Sequence, residues 1–278
     1  MTTVLRGQGA DEYEFFSASR GLVGWIRKDL PENLFDEFIR DPDGLMDRGS
    51  SGIVKDGPKT KVVRHIFQDG KGVKFNVITK QFYYGAGFRR LGFLFFPSPA
   101  ARCLNGALLL KSKAILTPRP LAAFEFRSWR RLGTSYYITE EVKDSRSLRD
   151  LWRIALPALA RSERHKVSGS ILHDLARLLS RLHALGIYHR DLKGTNILFR
   201  EWERPQRQIF LVDLDRVEET TRLSLSRRLK NLAQIRRGAW SMRERIYFFM
   251  RYAELYGSSK KEAKALTRRL LAQTQRRA

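Results

Sequence analysis

The stretch YHRDLKGTNILF, residues 188–199, sets His189, Arg190 and Asp191 in a row, with Lys193 two residues beyond the aspartate and Asn196 five beyond it. Moving a phosphoryl group onto a hydroxyl needs few protein groups, each firmly placed. A carboxylate orients the hydroxyl and takes its proton, metal ions bridge the phosphates, and a cation steadies the transferring charge. The stretch matches the catalytic-loop pattern H-R-D-x-x-x-x-N residue for residue. Asp191 is then the expected base, Asn196 an expected Mg²⁺ ligand, and Lys193 a cation within reach of the γ-phosphate of ATP.

Order along the chain supports that reading. Downstream, IFLVDLDRV reads as an apolar strand ending in Asp213, where a kinase-like fold puts its second metal ligand. Upstream, VITK matches the V-A-I-K pattern, which makes Lys80 the strand lysine that grips the α- and β-phosphates. Between them, SYYITEEVKDSRSLRDLW reads as a strand, a crossing and the start of a helix. Its backbone around Glu140 to Val142 fits an adenine-binding hinge. The phosphate-covering loop is written less sharply. IVKDGPKTKVVRHIF reads as two strands with Gly57, Pro58, Lys59 and Thr60 at the turn, and GSSG (residues 49–52) precedes it. Neither gives G-x-G-x-x-G, and an ordinary hairpin explains either equally well.

The elements that must hold these groups follow from periodicity. In VKFNVITKQF, Val73, Phe75, Val77 and Thr79 alternate with Lys74, Asn76, Ile78 and Lys80, as in a strand. In SGSILHDLARLLSRLHALG, Ile171, Leu172, Leu175, Leu178, Leu179 and Leu182 recur at helical spacing, and Gly186 stands where a C-terminal cap belongs. Residues 221–278 read as helical and very basic. Three zones differ in texture, residues 1 to about 135, 136 to about 220 and 221–278, with no internal repeat; grouped into a β-rich and a helical lobe they divide as residues 1–138 and 139–278.

Of the 278 residues, 42% are hydrophobic, enough for one large domain or two small lobes around a real core. A single cysteine, Cys103, excludes an internal disulfide and fits a reducing compartment. The opening MTTVLRGQGADEYEFF does not read as a secretory signal, and no run approaches the roughly 18–20 apolar residues of a membrane span. The sequence therefore predicts a cytoplasmic location. Lys and Arg number 53 against 29 acids, a formal charge of +24. Such a field predicts a polyanionic partner: nucleic acid, an anionic membrane surface or a phosphorylated substrate.

HALGIYHRDLKGTNILF, LVDLDRV, ILTPRPLAAFE and RRLKNLAQIRRG together resemble the bacterial lipopolysaccharide core kinases, which phosphorylate Kdo or heptose of the inner core. The resemblance spans roughly residues 45–240. It implies an α+β, bilobal protein-kinase-like fold, with a β-rich N-lobe and a minimal helical C-lobe lacking a full activation segment. It implies ATP and Mg²⁺ as cofactors, core lipopolysaccharide glycolipid as acceptor, and peripheral placement on the inner face of the cytoplasmic membrane. No A-P-E follows Asp215, so the platform that docks a peptide substrate is missing and a small or lipid-borne hydroxyl is favoured.

Three features depart from the pattern or extend it. The helix expected in SPAARCLNGALLLKSKAIL holds no acid to pair with Lys80, and Glu125 comes only later, in a strand. Lys230 stands where the family pattern has an Asp, which alters how the catalytic loop is buttressed. QFYYGAGFRRLGFLFFPSP carries seven aromatics between Phe82 and Phe96, readable as core or as a loop that meets lipid. Residues 221–278 hold 16 Lys and Arg against 3 acids. In MRERIYFFMRYAELYG, spacing sets Ile246, Phe249, Met250 and Ala253 on the packing face, leaving cationic faces for anionic headgroups. Two other readings stay open: a compact atypical protein kinase associated with ribonucleoprotein, and a weak pseudokinase acting as a binding module. The charge fits the first, although no aromatic–basic RNA motif is visible. The absent helix acid fits the second.

Overall fold

The computed structural model describes residues 5, 9–30, 36, 38–47, 52–68, 72, 74–83, 96–128, 133–235 and 240–275. Most of the aromatic stretch after Lys80, and residues 49–51 of GSSG, lie outside them. The chain divides into two units, Met1–Lys143 and Asp144–Ala278.

The first unit is built on one antiparallel sheet. Its strands are β1 (Tyr13–Ala18), β2 (Leu22–Arg27), β3 (Ile53–Gly57), β4 (Thr60–Gln68), β5 (Lys74–Tyr83), β6 (Pro120–Phe126) and β7 (Thr134–Glu140), in the order β1-β2-β6-β7-β5-β4-β3. Alternation gives the sheet two apolar faces. On one, Leu22, Ile26, Val77, Phe124 and Tyr136 join a core with Leu45 and Met46 of the short helix α1 (Pro42–Asp47). On the other, Phe82, Ala123 and Tyr137 pack under Ala100, Cys103, Leu104 and Leu108 of α2 (Pro99–Ser112). Ser98 caps α2 by accepting from the Ala101 N–H, and Pro99 follows at the first helical position, where its missing N–H costs nothing. Gly24 of β2 has no alternative, because a Cβ there would lie 2.4 Å from the Ala123 carbonyl oxygen.

The second unit carries the helix read from the leucine pattern, α3 (Arg161–Ala184), with Ile171, Leu172, Leu175, Leu179 and Leu182 buried. Gly186 ends it at φ +74°, and a Cβ there would meet the Thr220 carbonyl oxygen at 1.9 Å. The unit has five short strands, one before α3 and four after it: β8 (Ser145–Ser147), β9 (Ile187–His189), β10 (Ile197–Arg200), β11 (Gln208–Leu211) and β12 (Val217–Glu219). They pair as β11-β10-β8 and β12-β9. Three helices complete the unit: α4 (Leu225–Ile235), α5 (Met242–Leu255) and α6 (Lys260–Gln275).

The packing face of α5 differs from the sequence expectation. Phe248, Phe249, Tyr252 and Ala253 are buried, while Ile246 is 42% exposed. Helical spacing fits both stripes, and aromatic contacts decide. Phe248 stacks edge-on against Trp240 at 5.1 Å, and the Tyr252 hydroxyl finds a buried partner described below. No helix among the described residues is long and apolar enough to cross a membrane.

Candidate active site

In the second unit, β9 delivers His189 and releases the chain into a turn. A single 3₁₀ turn, Gly194–Asn196, then leads into β10. Asp213 lies two residues past β11, at φ +67° and ψ 55°. A non-glycine residue in the left-handed well carries strain of order 1–3 kcal/mol and persists only where its surroundings hold it. Here the Val212 N–H donates to the Asn196 carbonyl at 3.0 Å, tying the residue before Asp213 to the catalytic loop.

These elements bring four of the sequence-selected groups together. Lys193 Nζ lies 2.6 Å from Asp191 Oδ2. Asn196 Nδ2 donates to the Asp191 carbonyl at 2.9 Å and lies 3.4 Å from Asp191 Oδ2 and 3.3 Å from Asp213 Oδ2. Asp191 and Lys193 keep about 40% of their side chains in solvent, so a ligand can reach both. Arg190 turns away and pairs with Glu218 of β12 at 2.5 Å.

His189 is fully buried and uses both ring nitrogens. Nε2–H donates to the Val212 carbonyl at 3.0 Å, and Nδ1 accepts from the Asp191 N–H at 3.3 Å. One neutral imidazole thereby braces both segments that carry acidic residues. Burial holds its pKa below the usual histidine value, which favours that neutral form.

The buttress of the loop that carries Asp191 is Asn231 of α4, which the sequence reading passed over in favour of its neighbour. Lys230 is exposed, whereas Asn231 is 0% exposed. Asn231 Nδ2 donates to the His189 carbonyl at 2.6 Å. Gln234, one turn on, donates to the Arg190 carbonyl at 2.7 Å and accepts from the Leu192 N–H at 3.2 Å. Behind them, His183 Nε2–H donates to Asn231 Oδ1 at 3.2 Å, and the Tyr252 O–H donates to His183 Nδ1 at 2.8 Å. Burial pushes the His183 pKa down to about 4 and that of Tyr252 up. The only signal in the sequence was the position of Asn231 beside the expected acid.

The remaining candidates lie in the first unit. Gly57 and Thr60 form the closing pair of the β3–β4 hairpin, with Pro58 and Lys59 as its turn. Lys80 lies on β5 opposite Tyr137 of β7, its ammonium 4.5 Å from the Phe82 ring centre. Glu140 ends β7 in a 2.7 Å ion pair with Arg119, and Val142 lies just beyond. No acid occurs on α2. Glu125 does not replace it, because its carboxylate is held by Arg127.

The donor set of the second unit fits Mg²⁺ arriving with a nucleotide. Mg²⁺ prefers hard oxygen ligands and is usually held by one or two carboxylates together with phosphates and water. Asp213 supplies such a carboxylate. Asn196, with its amide nitrogen bound to the Asp191 carbonyl, keeps its Oδ1 as an oxygen donor. No group of three or more His, Cys, Asp or Glu side chains placed to hold a metal is found among the described residues.

A family model described as "Lipopolysaccharide kinase (Kdo/WaaP) family" matches residues 102–256, more than half of the chain. Two curated relatives from Stenotrophomonas maltophilia, strains R551-3 and K279a, are each named 3-deoxy-D-manno-octulosonic acid kinase. They are 28% and 27% identical to this chain over 158 residues, 57% of this chain and 55% of each relative. The chain thus spans about half the length of the curated relatives it matches. A solved structure titled "WaaP in complex with acyl carrier protein" covers 89% of this chain and 96% of its own, with a TM-score of 0.61 at 17% identity. That likeness, with the mixed α/β architecture, identifies the fold as protein-kinase-like.

Proposed function

The chain belongs to the lipopolysaccharide kinase (Kdo/WaaP) family, and from that premise we propose that it transfers the γ-phosphate of ATP to a sugar hydroxyl of the lipopolysaccharide inner core. The observation that carries this reading is the chain of contacts that joins Lys193 to Asp191, Asp191 to Asn196 and Asn196 to Asp213.

Asp191 orients the acceptor hydroxyl and takes its proton as the oxygen attacks the γ-phosphorus. The bond to the β–γ bridging oxygen breaks, and ADP leaves. Lys193 places its charge beside Asp191, where the transferring group gathers negative charge. Asn196 and Asp213 would hold Mg²⁺, which when bound neutralises phosphate charge. Lys80 is the proposed partner of the α- and β-phosphates, Gly57 and Thr60 of the triphosphate, and the backbone at Glu140 and Val142 of the adenine. The basic excess of residues 221–278 supports attachment to an anionic membrane surface, with glycolipid as the acceptor.

The test is transfer of label from ATP with Mg²⁺, offering truncated core lipopolysaccharide and a generic protein side by side. Label is expected in the glycolipid and is lost in Asp191→Ala. Label in the protein alone overturns the acceptor assignment. Binding to vesicles of anionic lipid is expected to weaken as salt rises, and equal binding to neutral vesicles defeats the membrane part.

A further inference from the structure

The loop that carries Asp191 has a cationic neighbour that the proposed transfer does not use. After β8, Ser147 caps a helical turn, Leu148–Asp150, by accepting from the Asp150 N–H at 3.1 Å. Leu148 is buried and anchors that turn. The turn lies against Gly194, the residue after Lys193. A Cβ placed on Gly194 would lie 3.4 Å from the Arg149 nitrogen and 3.6 Å from the Arg149 Cβ. The Arg149 side chain therefore starts on the flank of the loop that holds Lys193 and Asp191.

Arg149 keeps 46% of its side chain in solvent, and its one ionic contact among the described residues is Nε to Asp150 Oδ1 at 3.5 Å. A strong charge-assisted bond is nearer about 2.7–2.9 Å. Asp150 gives its other oxygen to the Ser147 hydroxyl at 2.6 Å. The other cations of the loop are engaged: Lys193 lies on Asp191, and Arg190 pairs with Glu218. An acceptor that carries a negative charge is repelled by Asp191 and by the phosphates of ATP. It needs a cation beside the loop, and a guanidinium offers the paired N–H groups that fit a carboxylate or phosphate. A neutral sugar has no such need.

Resting on the proposed transfer, we propose that Arg149 binds an anionic group of the acceptor, a carboxylate or a phosphate close to the reacting hydroxyl, and so selects acidic sugars over neutral ones. Initial rates with ATP test it on truncated core lipopolysaccharide offered intact, with its sugar carboxylates reduced to alcohols, or with its phosphates removed. On the intact acceptor, Arg149→Ala is expected to raise the acceptor KM about tenfold to a hundredfold. Its kcat and its KM for ATP are expected to stay within about twofold of the unaltered chain. Arg149→Lys, which keeps the charge without the fork, recovers part of the loss. The effect of Arg149→Ala disappears on the acceptor that lacks the recognised group, which assigns that group as carboxylate or phosphate. Arg153→Ala, on the exposed surface a few residues further on, leaves every value unchanged. An equal rise in KM on all three acceptors overturns the proposal, as does a rise in the KM for ATP instead, or no change at all. If the unaltered chain labels no glycolipid, the transfer reading fails and this inference falls with it. Transfer that Arg149→Ala leaves untouched overturns this inference alone.

Discussion

Buried polar groups fare differently in the two units: among the described residues most of those without a hydrogen-bond partner lie in the first, and Arg228 Nε is one in the second. In the second, Tyr252, His183, Asn231, Gln234 and His189 form a relay that ends on the peptide groups of the catalytic loop. In the first, His65 Nε2, Thr79 Oγ1, Ser135 Oγ and the Tyr137 hydroxyl are buried without hydrogen-bond partners. The Tyr137 phenol is fully buried, and burial raises its pKa. The difference shows two ways of holding a residue of the proposed machinery. The loop around Asp191 is irregular backbone and needs side chains to satisfy and fix it. Lys80 sits in a strand whose ladder already fixes the backbone, so its surroundings need only pack.

The largest effect expected is chemical. Asp191→Ala should lower kcat by roughly a hundred- to ten-thousand-fold while ATP affinity stays within a factor of a few. Steady-state rates and nucleotide titration check both halves, and retained turnover removes Asp191 as the base. Next comes the relay. Asn231→Leu strands the His189 carbonyl and the His183 ring, and should cost about 3 kcal/mol in urea unfolding. Lys230→Ala, one residue earlier, should stay within about 0.5 kcal/mol. Equal losses at the two positions would remove Asn231 as the buttress of the loop.

The relay also predicts an acid weakness. His183 titrates near 4 in the folded chain against an ordinary value of 6.5. Below pH 6.5 the unfolded chain takes up a proton that the folded chain refuses. The stabilisation is therefore complete above pH 6.5 and fades as pH falls towards 4, by roughly 3 kcal/mol at most. Denaturant midpoints measured from pH 7 to pH 4.5 should show the slope, and His183→Gln should reduce it, leaving the part that His189 contributes. The smallest effects form a pair. Tyr252→Phe removes a donor that His183 uses and should cost about 1–2 kcal/mol. Tyr137→Phe removes a hydroxyl with no partner and should be neutral or stabilising by up to about 1 kcal/mol. A like loss in both variants would mean that the two units do not differ.

What could be read in advance follows the same division. Asp191, Lys193 and Asn196 lie within six residues of one another. Their spacing alone dictated a shared turn, and the apolar run before Asp213 placed that residue after a strand. The leucine stripe of α3 and the alternation in β5 were legible because each repeats the geometry of its own element. Asn231 was not, since its role depends on which face of α4 meets a loop some forty residues earlier. The α5 stripe was misplaced for a related reason: aromatic partners on Trp240 and His183 chose between two stripes that spacing alone left equivalent.

Strand β2 pairs with β6 in the register Leu22 to Phe126, about a hundred residues further along the chain. At ribosomal speeds of roughly 5–20 residues per second, that gap is about 5–20 seconds of synthesis. Strands β1 and β2 can close on each other at once, but the inner edge of β2 stays open until β6 emerges. During that interval the nascent hairpin offers Leu22 and Ile26 to any strand or chaperone nearby. Clearing the ribosome past residue 140, when β7 can join β6 to β5, is therefore the event that commits the first unit to its fold.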